Sequence, residues 1–128
     1  MTGRCGVVVA HGRLADGLIS ALSRVAGEQD SVWALSNEGL SGADLEAKIT
    51  ALIEDRCAGR DAYLLSDMEG GSCGQACGRL LAKGTVKAVL YGVNLPLLVE
   101  FVFLREESFD RFVTAAVEKG RRALGVQV

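Results

Sequence analysis

A chain of 128 residues, 49% hydrophobic and with a single proline, has room for one domain with a buried core and is too apolar to be a disordered polypeptide. Its formal charge of −2, with no basic stretch, leaves no electrostatic footprint for nucleic acid. The longest apolar run, VLYGVNLPLLVEFVFL, is broken by Gly92, Asn94, Pro96 and Glu100, so the chain is not expected to span a membrane itself. The opening MTGRCGVVVAHGR lacks the charged, apolar and small-residue succession of a secretory signal, and a cytoplasmic home is expected. In that compartment Cys5, Cys57, Cys73 and Cys77 are expected to be reduced thiols rather than a disulfide framework.

In chain order, CGVVVA (5–10) has the continuous apolar character of a buried parallel strand. Residues 13–26 then predict a helix with Leu14, Leu18, Leu22 and Val25 on one face, and SVWAL (31–35) a second strand. Ser41 to Asp44 fits a capping box, with Leu40 and Leu45 as its staple, opening a helix that carries Leu45, Ile49, Leu52 and Ile53. AYLLS (62–66) predicts strand three and VKAVLY (86–91) strand four. Between them Cys73, Ala76, Cys77, Leu80 and Leu81 recur at helical spacing, with Ser72 as the expected N-cap and Gly84 as the stop. Two further helices are expected near 95–105 and 108–123, and GVQV (125–128) closes the chain. Strand and helix in alternation predict an α/β fold: a doubly wound, mainly parallel sheet of four strands with helices on both faces.

Ligands of such sheets sit outside the carboxyl ends of the strands. That rule selects HGR (11–13), DMEGGS (67–72) and GVNLP (92–96). The middle stretch supports three chemistries. Gly70-Gly71-Ser72-Cys73-Gly74 fits the G-x-S-x-G of a serine nucleophile, but His11, the only histidine, precedes the serine, contrary to the order in α/β-hydrolases. Cys73 and Cys77, four apart, leave a structural zinc site short of ligands and lie on the stripe continued by Leu80, as buried hydrophobes would. The third chemistry is an anion cradle, in which the glycine turn and the following helix start offer backbone N–H groups to a phosphate. His11 favours the third: an imidazole can attack a phosphoryl group with one ring nitrogen if the other is held, and Asp67 is the carboxylate best placed to hold it. Gly71 and Ser72 would then receive the phosphoryl oxygens, provided that strands one and three are neighbours.

VVVAHGRLADGLISAL, LLSDMEGGSCGQAC and VLYGVNLPLLVEFV, in that order, resemble the three marker segments of the enzyme IIA domain of the mannose family of the bacterial sugar phosphotransferase system. The resemblance extends over residues 1–128 as one domain. It implies that His11 accepts phosphate from the phosphocarrier HPr through Nε2 and passes it to an enzyme IIB partner, with Asp67 orienting the ring. It further implies that Gly71 and Ser72 bind the phosphate and that the 93–96 loop lines the site. No metal or organic cofactor is needed, and homodimers that exchange a C-terminal strand are implied, with GVQV as the candidate strand. The sequence departs from the family pattern at Glu69, where an aromatic or small apolar residue is common, and at Cys73, where a proline is. The related phosphoryl donor of dihydroxyacetone kinase systems shares the histidine, but VNLPLLVE fits the sugar-transport branch better. A regulatory phosphohistidine module without a permease, and a Ser72 hydrolase, are the alternative functions.

Overall fold

CGVVVA has no polar side chain to turn toward water, and in the computed structural model, which describes residues 3–128, all of Cys5–Ala10 is buried as strand β1. The elements that follow are α1 (Leu14–Ala26), β2 (Val32–Ser36), α2 (Gly42–Arg56), β3 (Ala62–Ser66), α3 (Gly71–Ala82), β4 (Ala88–Tyr91), α4 (Leu95–Phe103) and α5 (Phe109–Arg122). The four strands are parallel in the order β2-β1-β3-β4. Strand order reverses between β1 and β3, which opens a crevice at their carboxyl ends. The assumed neighbours are therefore neighbours, with Val9 opposite Ser66.

Alternate residues of each strand supply the two cores. Val8, Ala10, Tyr63, Leu65 and Leu90 pack with residues of α1, α4 and α5, while Cys5, Val7, Val9 and Leu64 pack with residues of α2 and α3. Phe101 and Phe112 are fully buried in the first core, edge to face with ring centroids 5.3 Å apart. Ser41 caps α2 as expected, its hydroxyl accepting the Asp44 N–H at 3.1 Å.

Four expectations are corrected. The α1 face is rotated: Ala15 and Leu22 are buried, with Leu18 and Ile19 against them, whereas Leu14 and Val25 are exposed at the helix ends. Helix α4 stops at Phe103 rather than 105, and the Arg4 guanidinium donates to the carbonyls of Leu104 and Glu107 just beyond it. That guanidinium is buried over the Phe112 ring at 4.2 Å. Ser72 is not the N-cap of α3, a position that falls on Gly70.

The fourth correction concerns the cysteines: Cys5 and Cys57 form a disulfide. Cys5 opens β1 and Cys57 ends α2, so the return of α2 to the amino end of the sheet brings their Cα atoms to 5.6 Å. Cys73 and Cys77 remain free and buried, as expected. Thiol titration of the denatured chain is therefore expected to count two thiols before reduction and four after. Reduction should also lower the thermal midpoint, because the bond spans 52 residues and a loop of that size constrains the unfolded chain by about 4 kcal/mol. Four thiols without reductant, or an unchanged midpoint, would contradict this.

Candidate functional site

Register decides which side chains meet. Val9 faces Ser66 across β1 and β3, so the next residues out of the sheet bring His11 beside Asp67. One carboxylate oxygen, Asp67 Oδ2, accepts from the His11 backbone N–H at 3.0 Å and lies 2.8 Å from Nδ1. Since a carboxylate can only accept, Nδ1 carries the proton of this contact, and in the neutral ring Nε2 is then the nitrogen with the lone pair. The Asp67 side chain is 11% exposed and that of His11 41%, so the carboxylate is inside and the imidazole reaches solvent. Burial raises the Asp67 pKa, but the His11 backbone N–H, ring N–H and charge together outweigh it and hold the carboxyl below its ordinary value. Asp67 is ionised throughout the neutral range.

Two of the three glycines in the 70–74 stretch, Gly71 and Gly74, have different reasons to be there. Gly71 adopts φ +77°, and a Cβ on it would lie 3.2 Å from both Cε1 and Nε2 of His11. The turn thus lays backbone against the reactive edge of the ring. At Gly74 a Cβ would fall 2.0 Å from the Glu69 carbonyl oxygen, so the 67–70 loop rests on α3 only because no side chain intervenes. Glu69 contributes that backbone contact while being exposed itself. Gly71→Ala is expected to slow any reaction at Nε2 by about 10- to 100-fold through ring displacement and turn strain. Reaction rate and melting temperature measured together would check it; an unchanged rate would free Gly71 of this role.

With glycine at the N-cap position, α3 opens at Gly71 without a side-chain cap, so its leading N–H groups have no side-chain partner there. Ser72 lies in that first turn, and its Oγ accepts from Asn37 Nδ2 at 3.0 Å. The serine has Asn37 rather than His11 at its hydroxyl, which removes the general base that the hydrolase alternative required.

Two residues at the end of β2 belong to this site and were missed. Ser36 Oγ donates to the Gly12 carbonyl at 2.6 Å, and Asn37 Oδ1 accepts the Gly12 N–H at 3.2 Å. The His11-Gly12 turn is thereby held from both neighbouring strands. The rule that selected the ends of the other three strands applies equally to β2 and could have found them. The 93–96 loop follows β4, where Asn94 caps α4 through the Leu97 N–H and donates to the Gly120 carbonyl, so its polar groups serve α4 and α5.

Among the described residues, His11, Asp67 and Cys73 bring one nitrogen, one oxygen and one sulfur within 4.8 Å of one another. A closed zinc site takes four donors, and burial pushes the Cys73 thiol up to about 11, with Asp67 adding to it. Cys77, more deeply placed, is pushed up to about 12. Both are neutral thiols at physiological pH and poor nucleophiles.

Residues 6–117 match the EIIA-man family, described as the PTS system fructose IIA component. The chain is 32% identical to the PTS system mannose-specific EIIAB component of Escherichia coli K12 over 121 residues, which is 92% of this chain and 38% of that protein. It spans that same 38% of the corresponding protein in Shigella flexneri. Among solved structures, the phosphotransferase system component EIIA from Streptococcus agalactiae superposes with a TM-score of 0.82 at 27% identity, covering 98% of this chain and 97% of that one. The PTS IIA protein associated with the fucose utilization operon from Streptococcus pneumoniae, at 23% identity, shares the fold with a TM-score of 0.84 over 98% and 93% of the two chains.

Proposed function

Because the chain belongs to the EIIA-man family of phosphotransferase-system IIA components, we propose that it relays phosphate for sugar uptake, accepting it on His11 from phospho-HPr and passing it to an enzyme IIB partner. The observation that carries this reading is the paired contact of Asp67 Oδ2 with the backbone and ring of His11, which leaves Nε2 free against the Gly71 turn.

In the forward step the Nε2 lone pair forms a bond to the phosphorus of the carrier phosphohistidine as the phosphorus–nitrogen bond to the carrier breaks. The carrier imidazole leaves with the electron pair. The Nδ1 proton stays between His11 and Asp67, whose charge stabilises the cationic ring. The phosphoryl oxygens rest on N–H groups at the start of α3 and on the Ser72 hydroxyl, which is why no metal or cofactor is invoked. Transfer to enzyme IIB repeats the displacement, with His11 as leaving group. Leu14, at the start of α1 just after the His11 turn, and Met68, next to Asp67, are 47% and 52% exposed and offer an apolar surface to both carriers. The test is incubation with phosphoenolpyruvate, enzyme I and HPr: one acid-labile, base-stable phosphate per chain should map to His11 and leave on addition of enzyme IIB.

A cytoplasmic location goes with that relay, and among the described residues no helix is long and apolar enough to cross a membrane. Disulfides are uncommon in a reducing cytosol; Cys5 and Cys57, 0% and 2% exposed, are withheld from thiol exchange by burial. A homodimer is part of the proposal. The outer edge of β4 is open, and a groove lined by Leu90, Tyr91, Leu97, Val113 and Val117 runs beside it. Beyond α5 the GVQV tail has no secondary structure, with Val126 and Val128 exposed, so a partner's tail can add to that edge. Sedimentation equilibrium should give a dimer that removal of residues 124–128 dissociates; a monomeric parent chain would count against it.

A further inference from the structure

We infer that Asn37 is a positioning residue that sets the Ser72 hydroxyl as a hydrogen-bond donor toward a phosphoryl group on His11, an inference that rests on phosphoryl transfer through that histidine. The argument is one of donors and acceptors. The Gly12 N–H can only donate, so the atom Asn37 presents to it at 3.2 Å is Oδ1. That fixes the amide, and Nδ2, which can only donate, faces Ser72 Oγ at 3.0 Å. Ser72 Oγ therefore accepts, and its own proton turns away from Asn37.

Ser72 follows Gly71, the residue whose backbone packs on the His11 ring, and stands in the uncapped first turn of α3. A hydroxyl proton turned from Asn37 is free to donate to the phosphoryl oxygens, which only accept and, being charged, outcompete the Cys73 thiol that also lies within its reach. Without Asn37 the hydroxyl rotates freely and the donor is aimed only part of the time. Asn37 does not touch the ring itself, and the Gly12 carbonyl keeps its bond from Ser36 when Asn37 is replaced. Asn37 Oδ1 helps hold the Gly12 turn, a contact that Asn37→Asp preserves, and the effect of the side chain on the phosphoryl group is exerted through Ser72.

The test labels His11 with phosphoramidate, a small donor that needs no protein carrier, and in parallel with phospho-HPr, following intact mass over time. Asn37→Ala and Ser72→Ala are each expected to slow labelling by about tenfold. The double variant Asn37→Ala/Ser72→Ala should be no slower than Ser72→Ala alone, a coupling that a merely structural role would not produce. Asn37→Asp should be slower than Asn37→Ala, because its carboxylate still takes the Gly12 N–H but now also captures the Ser72 proton and repels phosphate. Independent, multiplying effects in the double variant, or an Asn37→Asp chain as fast as the parent, would overturn the inference. Labelling by phosphoramidate but not by HPr would overturn the carrier assignment alone and still test Asn37. A parent chain that phosphoramidate leaves unlabelled at His11 would overturn phosphoryl chemistry at the imidazole, and the role of Asn37 with it.

Discussion

His11→Ala is expected to carry no acid-labile phosphate after incubation with phosphoenolpyruvate, enzyme I and HPr, and to unfold at nearly the temperature of the parent chain. Both halves follow from the surroundings of the ring. Its side chain is 41% exposed and stands beyond the end of β1, so truncation leaves both cores intact. The backbone N–H of residue 11 still donates to Asp67, which keeps the carboxylate partnered. Chemically, nothing nearby can substitute. Cys73 and Cys77 are buried neutral thiols, pushed up to about 11 and 12. Ser72 has an amide rather than an imidazole at its oxygen. Loss of the nucleophile should therefore cost at least about 10⁴-fold in transfer rate, the scale on which nucleophile deletions act in other enzymes. Phosphate that persists in His11→Ala, located by mass spectrometry on another residue, would remove the histidine from the mechanism.

How much of this was legible beforehand depended on whether a feature was local. Cys5–Ala10 and Ala62–Ser66 appear with the bounds expected of them, because an unbroken apolar run has few alternatives to a doubly buried strand. His11 and Asp67 were legible because strand order and the carboxyl-end rule together put both at one crevice. What a tertiary partner decides was not legible. Cys5 and Cys57 are 52 residues apart, and only the path of α2 back to the start of β1 makes them neighbours. Arg4 becomes a buried cation over aromatic rings because the carbonyls of Leu104 and Glu107 arrive from the far end of the chain. Ser72 was misassigned as a cap because its neighbour Gly71, at φ +77°, sets how the helix opens, and the serine is spent on Asn37 instead. The Ser36-Asn37 pair shows a different failure: its position was predictable, but polar residues after a weakly apolar strand carry no sequence signal of what they will bind.

Asp67→Asn is expected to slow transfer by about 10- to 100-fold and Asp67→Ala by about 10³-fold or more, with the ordering as informative as the sizes. In Asp67→Asn the amide cannot orient either way at will. The His11 backbone N–H needs an acceptor where Oδ2 stood, so the asparagine oxygen goes there and its NH₂ takes the place of Oδ1. From that position the same oxygen still accepts the Nδ1 proton, and Nε2 stays nucleophilic. What disappears is the negative charge opposite the imidazolium that forms on attack. Asp67→Ala removes the acceptor as well, releasing the tautomer and leaving the His11 N–H without its partner. Stability should separate the variants from the parent by pH. The folded-state pKa of Asp67 lies below the unfolded value of about 3.9. Its contribution is therefore full above that value and lost as pH falls through the folded pKa. Denaturation curves between pH 7 and pH 2 should show the parent's advantage over Asp67→Asn shrinking across that acid window. Rapid-quench transfer from phospho-HPr measures the kinetic half; rates for both variants equal to the parent's would take Asp67 out of the mechanism even if the acid-linked stability were found.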